Sequence, residues 1–95
     1  MLNRRGGIEC DLTVARLADD RFYLVTGTGF ATHDRCWIQG NLLEGLDVRF
    51  KEVTEEVAVL ALMGPRSRDV LEAVSNGAVS NEELPFSSYR DLEIE

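Results

Sequence analysis

Asn3-Arg4-Arg5-Gly6-Gly7-Ile8-Glu9-Cys10-Asp11-Leu12-Thr13-Val14 alternates apolar and polar residues behind a pair of glycines. Ile8, Cys10, Leu12 and Val14 fall on one side, and Glu9, Asp11 and Thr13 on the other, because successive side chains of a strand point to opposite faces. The pattern predicts a strand over residues 8–17 that carries Asp11 on its polar face, held in place by the apolar row behind it. The two glycines reach backbone angles closed to other residues, so they end a loop and let the strand start close to whatever occupies a site there. From pattern alone this is a half-buried strand with a solvated carboxylate, the usual state of an acid.

Beyond it, a polar turn at Ala18-Asp19-Asp20-Arg21 leads into Phe22-Tyr23-Leu24-Val25-Thr26, a second strand that pairs with the first as a hairpin. Gly27-Thr28-Gly29 breaks that strand, and a helix is expected over 31–43 with Phe30, Trp37, Ile38 and Leu42 on one stripe, interrupted by Asp34 and Asn41. Residues 48–53 alternate as a strand. Val57-Ala58-Val59-Leu60-Ala61-Leu62-Met63 is an unbroken apolar run of strand length, expected at the centre of the sheet, where an Asp at position 60 would unfold the domain. Gly64-Pro65 then starts a helix buried through Val70, Leu71 and Val74 and ended by Asn76-Gly77. Ser80-Asn81-Glu82-Glu83 has the form of a capping box, and a last strand is expected from Tyr89 onward. The order is ββαββαβ. Without its first strand this is βαββαβ, a ferredoxin-like two-layer α+β sandwich whose free sheet face needs a cover from outside these residues.

The chain of 95 residues has room for one modest core, and its 44% hydrophobic and 28% charged residues are those of a globular protein. A formal net charge of -7 argues against nucleic acid as a partner, which requires a basic face. No apolar run approaches the roughly 20 residues that span a bilayer. Cys10 and Cys36 lie far apart in no ligand-like spacing, which points to two reduced thiols in an intracellular protein and to no metal. His33 is the single histidine, without a nearby ligand or nucleophile, and reads as a surface or satisfied polar residue. Gly27-Thr28-Gly29-Phe30-Ala31-Thr32 has Thr32 where a dinucleotide fingerprint needs its third glycine, so it reads as a structural corner. Arg66 stands at a helix start where the dipole disfavours cations, which hints at an acidic partner.

Met1-Leu2-Asn3 with Gly6-Gly7-Ile8-Glu9-Cys10-Asp11-Leu12-Thr13-Val14, then Phe22-Tyr23-Leu24-Val25-Thr26-Gly27, resembles the folate-binding aminomethyltransferase family of the glycine cleavage T-protein. Ala61-Leu62-Met63-Gly64-Pro65-Arg66-Ser67-Arg68-Asp69-Val70-Leu71 and Leu84-Pro85-Phe86 look like later landmarks of the branch fused to flavin-dependent sarcosine and dimethylglycine dehydrogenases. The resemblance implies a domain that holds tetrahydrofolate while a one-carbon unit passes from an amine or iminium to a folate nitrogen. It places Asp11 at the reduced pterin as catalytic base or electrostatic partner, with Gly7 and Ile8 beside the cofactor. Cys10 stands where T-proteins commonly have a second acid. Further folate contacts are expected downstream of residue 95 and any FAD domain upstream, so the chain is expected to be a partial subdomain, inactive alone, whose partners are the rest of the parent chain, a reduced folate and a small amine. The implied location is the cytoplasm, or the mitochondrial matrix in a eukaryote. The competing expectation is a non-catalytic interaction or regulatory module that keeps the fold.

Overall fold

In the computed structural model, which describes residues 1–95, the first regular element is a hairpin of β1, Thr13–Ala18, and β2, Arg21–Val25, paired antiparallel. The register runs Thr13 opposite Val25 to Arg16 opposite Phe22. It slips at Leu17, where the ladder resumes with Ala18 opposite Arg21. This extra residue is a bulge next to the Asp19-Asp20 turn, and bulges of this kind increase local twist. A 3-10 turn over Thr28–Phe30 feeds α1, Ala31–Gly40. The helix stops short of the expected residue 43 because Asn41 turns back on it, its Nδ2 donating to the Trp37 carbonyl at 2.7 Å. A short polar side chain that satisfies a last-turn carbonyl in this way competes with helix continuation. These elements lie in a unit spanning Met1–Glu52.

The expected strand over 8–17 begins five residues late, at Thr13, because residues 1–10 form a hydrogen-bonded loop of their own. Leu2 and Ile8 make one isolated antiparallel bridge, and the Asn3 side chain accepts from the backbone N–H of Arg5 and of Gly7, both at 2.9 Å. Gly6 takes φ +80°, the left-handed backbone that this turn requires. The expected apolar row is therefore not one face. Ile8 is 76% exposed, while Cys10 is 2% exposed. Within β1 the half-buried residues are Ala15 and Leu17, of opposite parity to Cys10, and Val14 is exposed. The phase changes between Cys10 and Ala15 because no ladder holds the alternation there.

The second unit, Val53–Glu95, contains one regular helix, α2, Ser67–Val74. Gly64, at φ +114°, and Pro65 form the turn in front of it, with the Ser67 N–H donating to the Gly64 carbonyl at 3.1 Å. Arg66 finds its acid one turn on, its Nε donating to Asp69 at 3.0 Å. Half of the capping box forms, the Glu83 N–H donating to Ser80 Oγ at 3.3 Å, while the Glu83 carboxylate accepts from the Ser80 hydroxyl at 2.9 Å rather than from its backbone N–H, around a turn rather than a helix. Of the expected final strand, the structure forms one isolated bridge, Ser75 to Ile94.

The fold class is thus α+β, with two strands and two α-helices. Residues 48–53 and 57–63 run without ladder partners, so the sheet is two-stranded here and the seven-element order is not formed. The reason is burial. Leu60, expected at the centre of a sheet, is 93% exposed, and Val59 and Met63 are exposed with it. An apolar strand is held by what covers it, and within this unit nothing covers that run.

Arg68 replaces a sheet as the organiser of the second unit. Its guanidinium donates to the carbonyls of Val79, of Ser80 at 3.1 Å and of Leu84 at 2.8 Å, so the loop carrying the buried Val79 is tied to α2. Charged donors of this kind contribute about 1.5–3 kcal/mol each before exposure discounts them. Arg68→Ala is expected to lower the stability of this unit by about 2 kcal/mol, and Arg68→Lys by nearly as much because an ammonium cannot span three carbonyls. Urea midpoints of the two variants check both figures.

Candidate functional site

The polar chemistry of the first unit gathers around Asp34, which sits in the first turn of α1 and is 2% exposed. Its carboxylate is a hub. The Thr26 hydroxyl, at the end of the hairpin, donates to Oδ2. The His33 ring, Nδ1, lies 2.9 Å from Oδ1, and the Cys10 sulfur lies within 4.8 Å of the carboxylate. On the other side of the imidazole, Nε2 is 3.6 Å from Glu9 Oε2, and Glu9 Oε1 accepts from Asn3 Nδ2 at 2.7 Å. The Met1 backbone nitrogen donates to the Cys10 carbonyl at 2.7 Å and closes the loop.

Asp34, His33 and Cys10 each shift in the direction this arrangement dictates. The hydroxyl of Thr26, and after it the His33 ring, hold the Asp34 carboxyl below the usual carboxylate range. The bond to Asp34 raises the His33 imidazole above its ordinary value, with Glu9 adding to it. Burial pushes the Cys10 thiol up, reinforced by Asp34, so Cys10 is a thiol at neutral pH.

These directions fix a stability profile. The Asp34 contribution is present above its ordinary value of 3.8 and is lost as pH falls through the depressed folded value. The His33 contribution is complete below 6.5 and is lost as pH rises through the raised folded value. The Cys10 contribution persists to 9.0 and is lost above it. In chelator-treated buffer the first unit is expected to be most stable between about pH 4 and 6.5 and to weaken on both sides. Asp34→Asn flattens both limbs. A denaturant-midpoint series against pH checks this.

Asp11 stands apart from the cluster, exposed, two residues before β1 rather than within it. Gly7 and Ile8 are also exposed and lie on the same loop. Beside them the loop and α1 frame an open groove of about 550 Å³, lined by Leu2, Asn3, Arg4, Arg5, Glu9, Trp37 and Asn41. Asp11, Gly7 and Ile8 do not line it. His33 is the satisfied polar residue expected. Asp34 was visible only as an interruption of an apolar stripe, and its approach to Cys10 and Thr26 carries no local signal.

Hairpin, helix and acid-bearing glycine loop define a small α+β domain built to present a loop. A family model, the GCVT N-terminal domain, matches residues 1–95. The chain belongs to that family.

Human mitochondrial dimethylglycine dehydrogenase is 33% identical over 99% of this chain and 11% of its own length. Mouse mitochondrial sarcosine dehydrogenase is 37% identical over 95% of the chain and 11% of its own length. An aminomethyltransferase of a Thermoanaerobacter species is 32% identical over 96% of the chain and 24% of its own length. The chain therefore spans about a tenth of the dehydrogenases and a quarter of the aminomethyltransferase. No solved structure matches it. The resemblance to the T-protein family, with its sarcosine and dimethylglycine dehydrogenase branch, is thus established over the whole chain. Neither helix is long and apolar enough to cross a membrane.

Proposed function

We propose that the chain is one part of a tetrahydrofolate-dependent aminomethyltransferase-type domain within a longer protein, which transfers a one-carbon unit from an amine or iminium to tetrahydrofolate. The observation that carries this reading is the family match across residues 1–95 together with the placement of Asp11 on an open loop. The residues present fit a reduced folate in part. No internal hydrogen bond or ion pair holds the Asp11 carboxylate. It is therefore available to take a proton from an attacking nitrogen, or to face a cationic iminium. Gly7 adds no side chain beyond its backbone, and its neighbour Ile8 offers an exposed apolar surface to a flat ring.

Tetrahydrofolate supplies the nucleophilic nitrogen. This chain supplies the charge at Asp11 and the loop that positions it. A loop is a poorer anchor than a strand. The bonds of Asn3 to Arg5, Gly7 and Glu9 provide the stiffness that the late start of β1 does not. A flavin belongs to other parts of the parent, as does the amine site. The exposed apolar run 57–63 supports a ferredoxin-like plan whose remaining strands are completed by the rest of the parent chain, in the cytoplasm or the mitochondrial matrix.

The test is amine turnover by the parent protein with and without tetrahydrofolate. Appearance of 5,10-methylenetetrahydrofolate supports the proposal. Release of formaldehyde alone, with no reduced-folate binding, favours the non-catalytic reading. The 95-residue chain titrated with a reduced folate is expected to show weak or no binding by backbone amide shifts.

A further inference from the structure

We propose that Cys10, His33 and Asp34 form a binding site for one zinc-class divalent cation, a function independent of the folate reading. One donor atom from each residue, a thiol sulfur, an imidazole nitrogen and a carboxylate oxygen, lies within 4.8 Å of the other two. Around a tetrahedral zinc ion, with bonds of about 2.0–2.3 Å, neighbouring donors sit about 3.3–3.7 Å apart, so the three close on the ion by roughly 1 Å of side-chain motion. Sulfur, nitrogen and oxygen donors in this combination suit zinc and its neighbours rather than magnesium or calcium.

The neighbouring side chains orient the three donors. Histidine ligands usually donate their other ring N–H to a carboxylate. Here Nδ1 faces Asp34 while Nε2 faces Glu9, and Asn3 fixes Glu9 from behind. Asp34 Oδ1 is turned to the cluster while Oδ2 is held by the Thr26 hydroxyl. Cys10 is buried and its carbonyl accepts from the Met1 backbone nitrogen, whereas the His33 side chain is 51% exposed, leaving a side from which the ion enters and a water completes four ligands. The start of α1 disfavours a cation, but thiolate, Asp34 and Glu9 bring three negative charges to it. Binding replaces the Cys10 S–H bond by a sulfur–metal bond and the Nδ1–H hydrogen bond of His33 by a nitrogen–metal bond; the thiol proton leaves to water, the Nδ1 proton leaves with it from a charged ring or is replaced by one at Nε2, facing Glu9, in a neutral ring, and no electron moves.

The test uses Co²⁺ and Zn²⁺ with the full chain freed of metal by a chelator. One equivalent of Co²⁺ is expected to produce a thiolate-to-cobalt charge-transfer band and the visible bands of a tetrahedral ion, abolished by one equivalent of Zn²⁺. Cys10→Ser is expected to remove the charge-transfer band, and His33→Asn, at an exposed position that spares the fold, to weaken Co²⁺ binding at least 100-fold. Thr26→Val, which removes only the support of Asp34, is expected to weaken it about 10-fold. Cys36→Ser changes nothing. Absence of the band in the folded wild type overturns the proposal. So does a band that survives His33→Asn or is lost with Cys36→Ser.

Discussion

Asp11→Asn in the parent protein is expected to reduce the rate of 5,10-methylenetetrahydrofolate formation by roughly 100- to 10,000-fold, the range for losing a positioned acid–base group. The substitution keeps the shape of the side chain and removes its charge. Because Asp11 is exposed and its carboxylate has no bond to other residues, the fold loses nothing with it. The deficit is therefore expected in kcat, with KM for the folate changing only a few-fold. Glu9→Gln is the matched control. Glu9 is tied to Asn3 and faces His33, so its charge serves the loop, and turnover is expected to fall far less. Single-turnover rates with a saturating reduced folate separate the two. An undiminished rate in Asp11→Asn removes that carboxylate from the chemistry and leaves the non-catalytic module as the better reading.

Leu60→Asp is expected to have opposite consequences in two settings. In the 95-residue chain the side chain is 93% exposed, and the substitution changes stability by no more than about 0.5 kcal/mol, the range of ordinary surface changes. In the parent protein, where we propose that the run 57–63 is covered as a sheet strand, the same change buries a carboxylate without a partner and costs about 3 kcal/mol or more. Denaturant midpoints for the pair decide it. Equal and small effects in both proteins show that the run is exposed in the parent too, and the ferredoxin-like plan fails with it.

The contrast at Leu60 also marks what could be read in advance. The hairpin and both helices were legible because their signals are local: alternation on each side of an Asp-Asp turn, glycine corners, and Pro65 ahead of α2. The capping box at Ser80 and Glu83 and the partner of Arg66 were legible for the same reason. The run 57–63 was read correctly as apolar and wrongly as covered, since composition states a demand for burial and not whether these residues meet it. The late start of β1 was missed because the Asn3 side chain intercepts the backbone donors of Arg5 and Gly7, a competition that no periodicity reveals. The Asp34 cluster joins residues 10, 26 and 33–34, and nothing in the spacing of one histidine and two distant cysteines announces it. Its only trace was an acid out of place on α1.

Val57-Ala58-Val59-Leu60-Ala61-Leu62-Met63 has a consequence for handling the chain. Seven uncharged, proline-free residues without ladder partners make a template on which a second molecule can add a strand. Concentrated solutions should self-associate through this segment, and a ribosome-bound nascent chain would carry the same hazard until later residues emerged to shield it. The aspartate variant, neutral for folding in isolation, should then be the one that stays in solution.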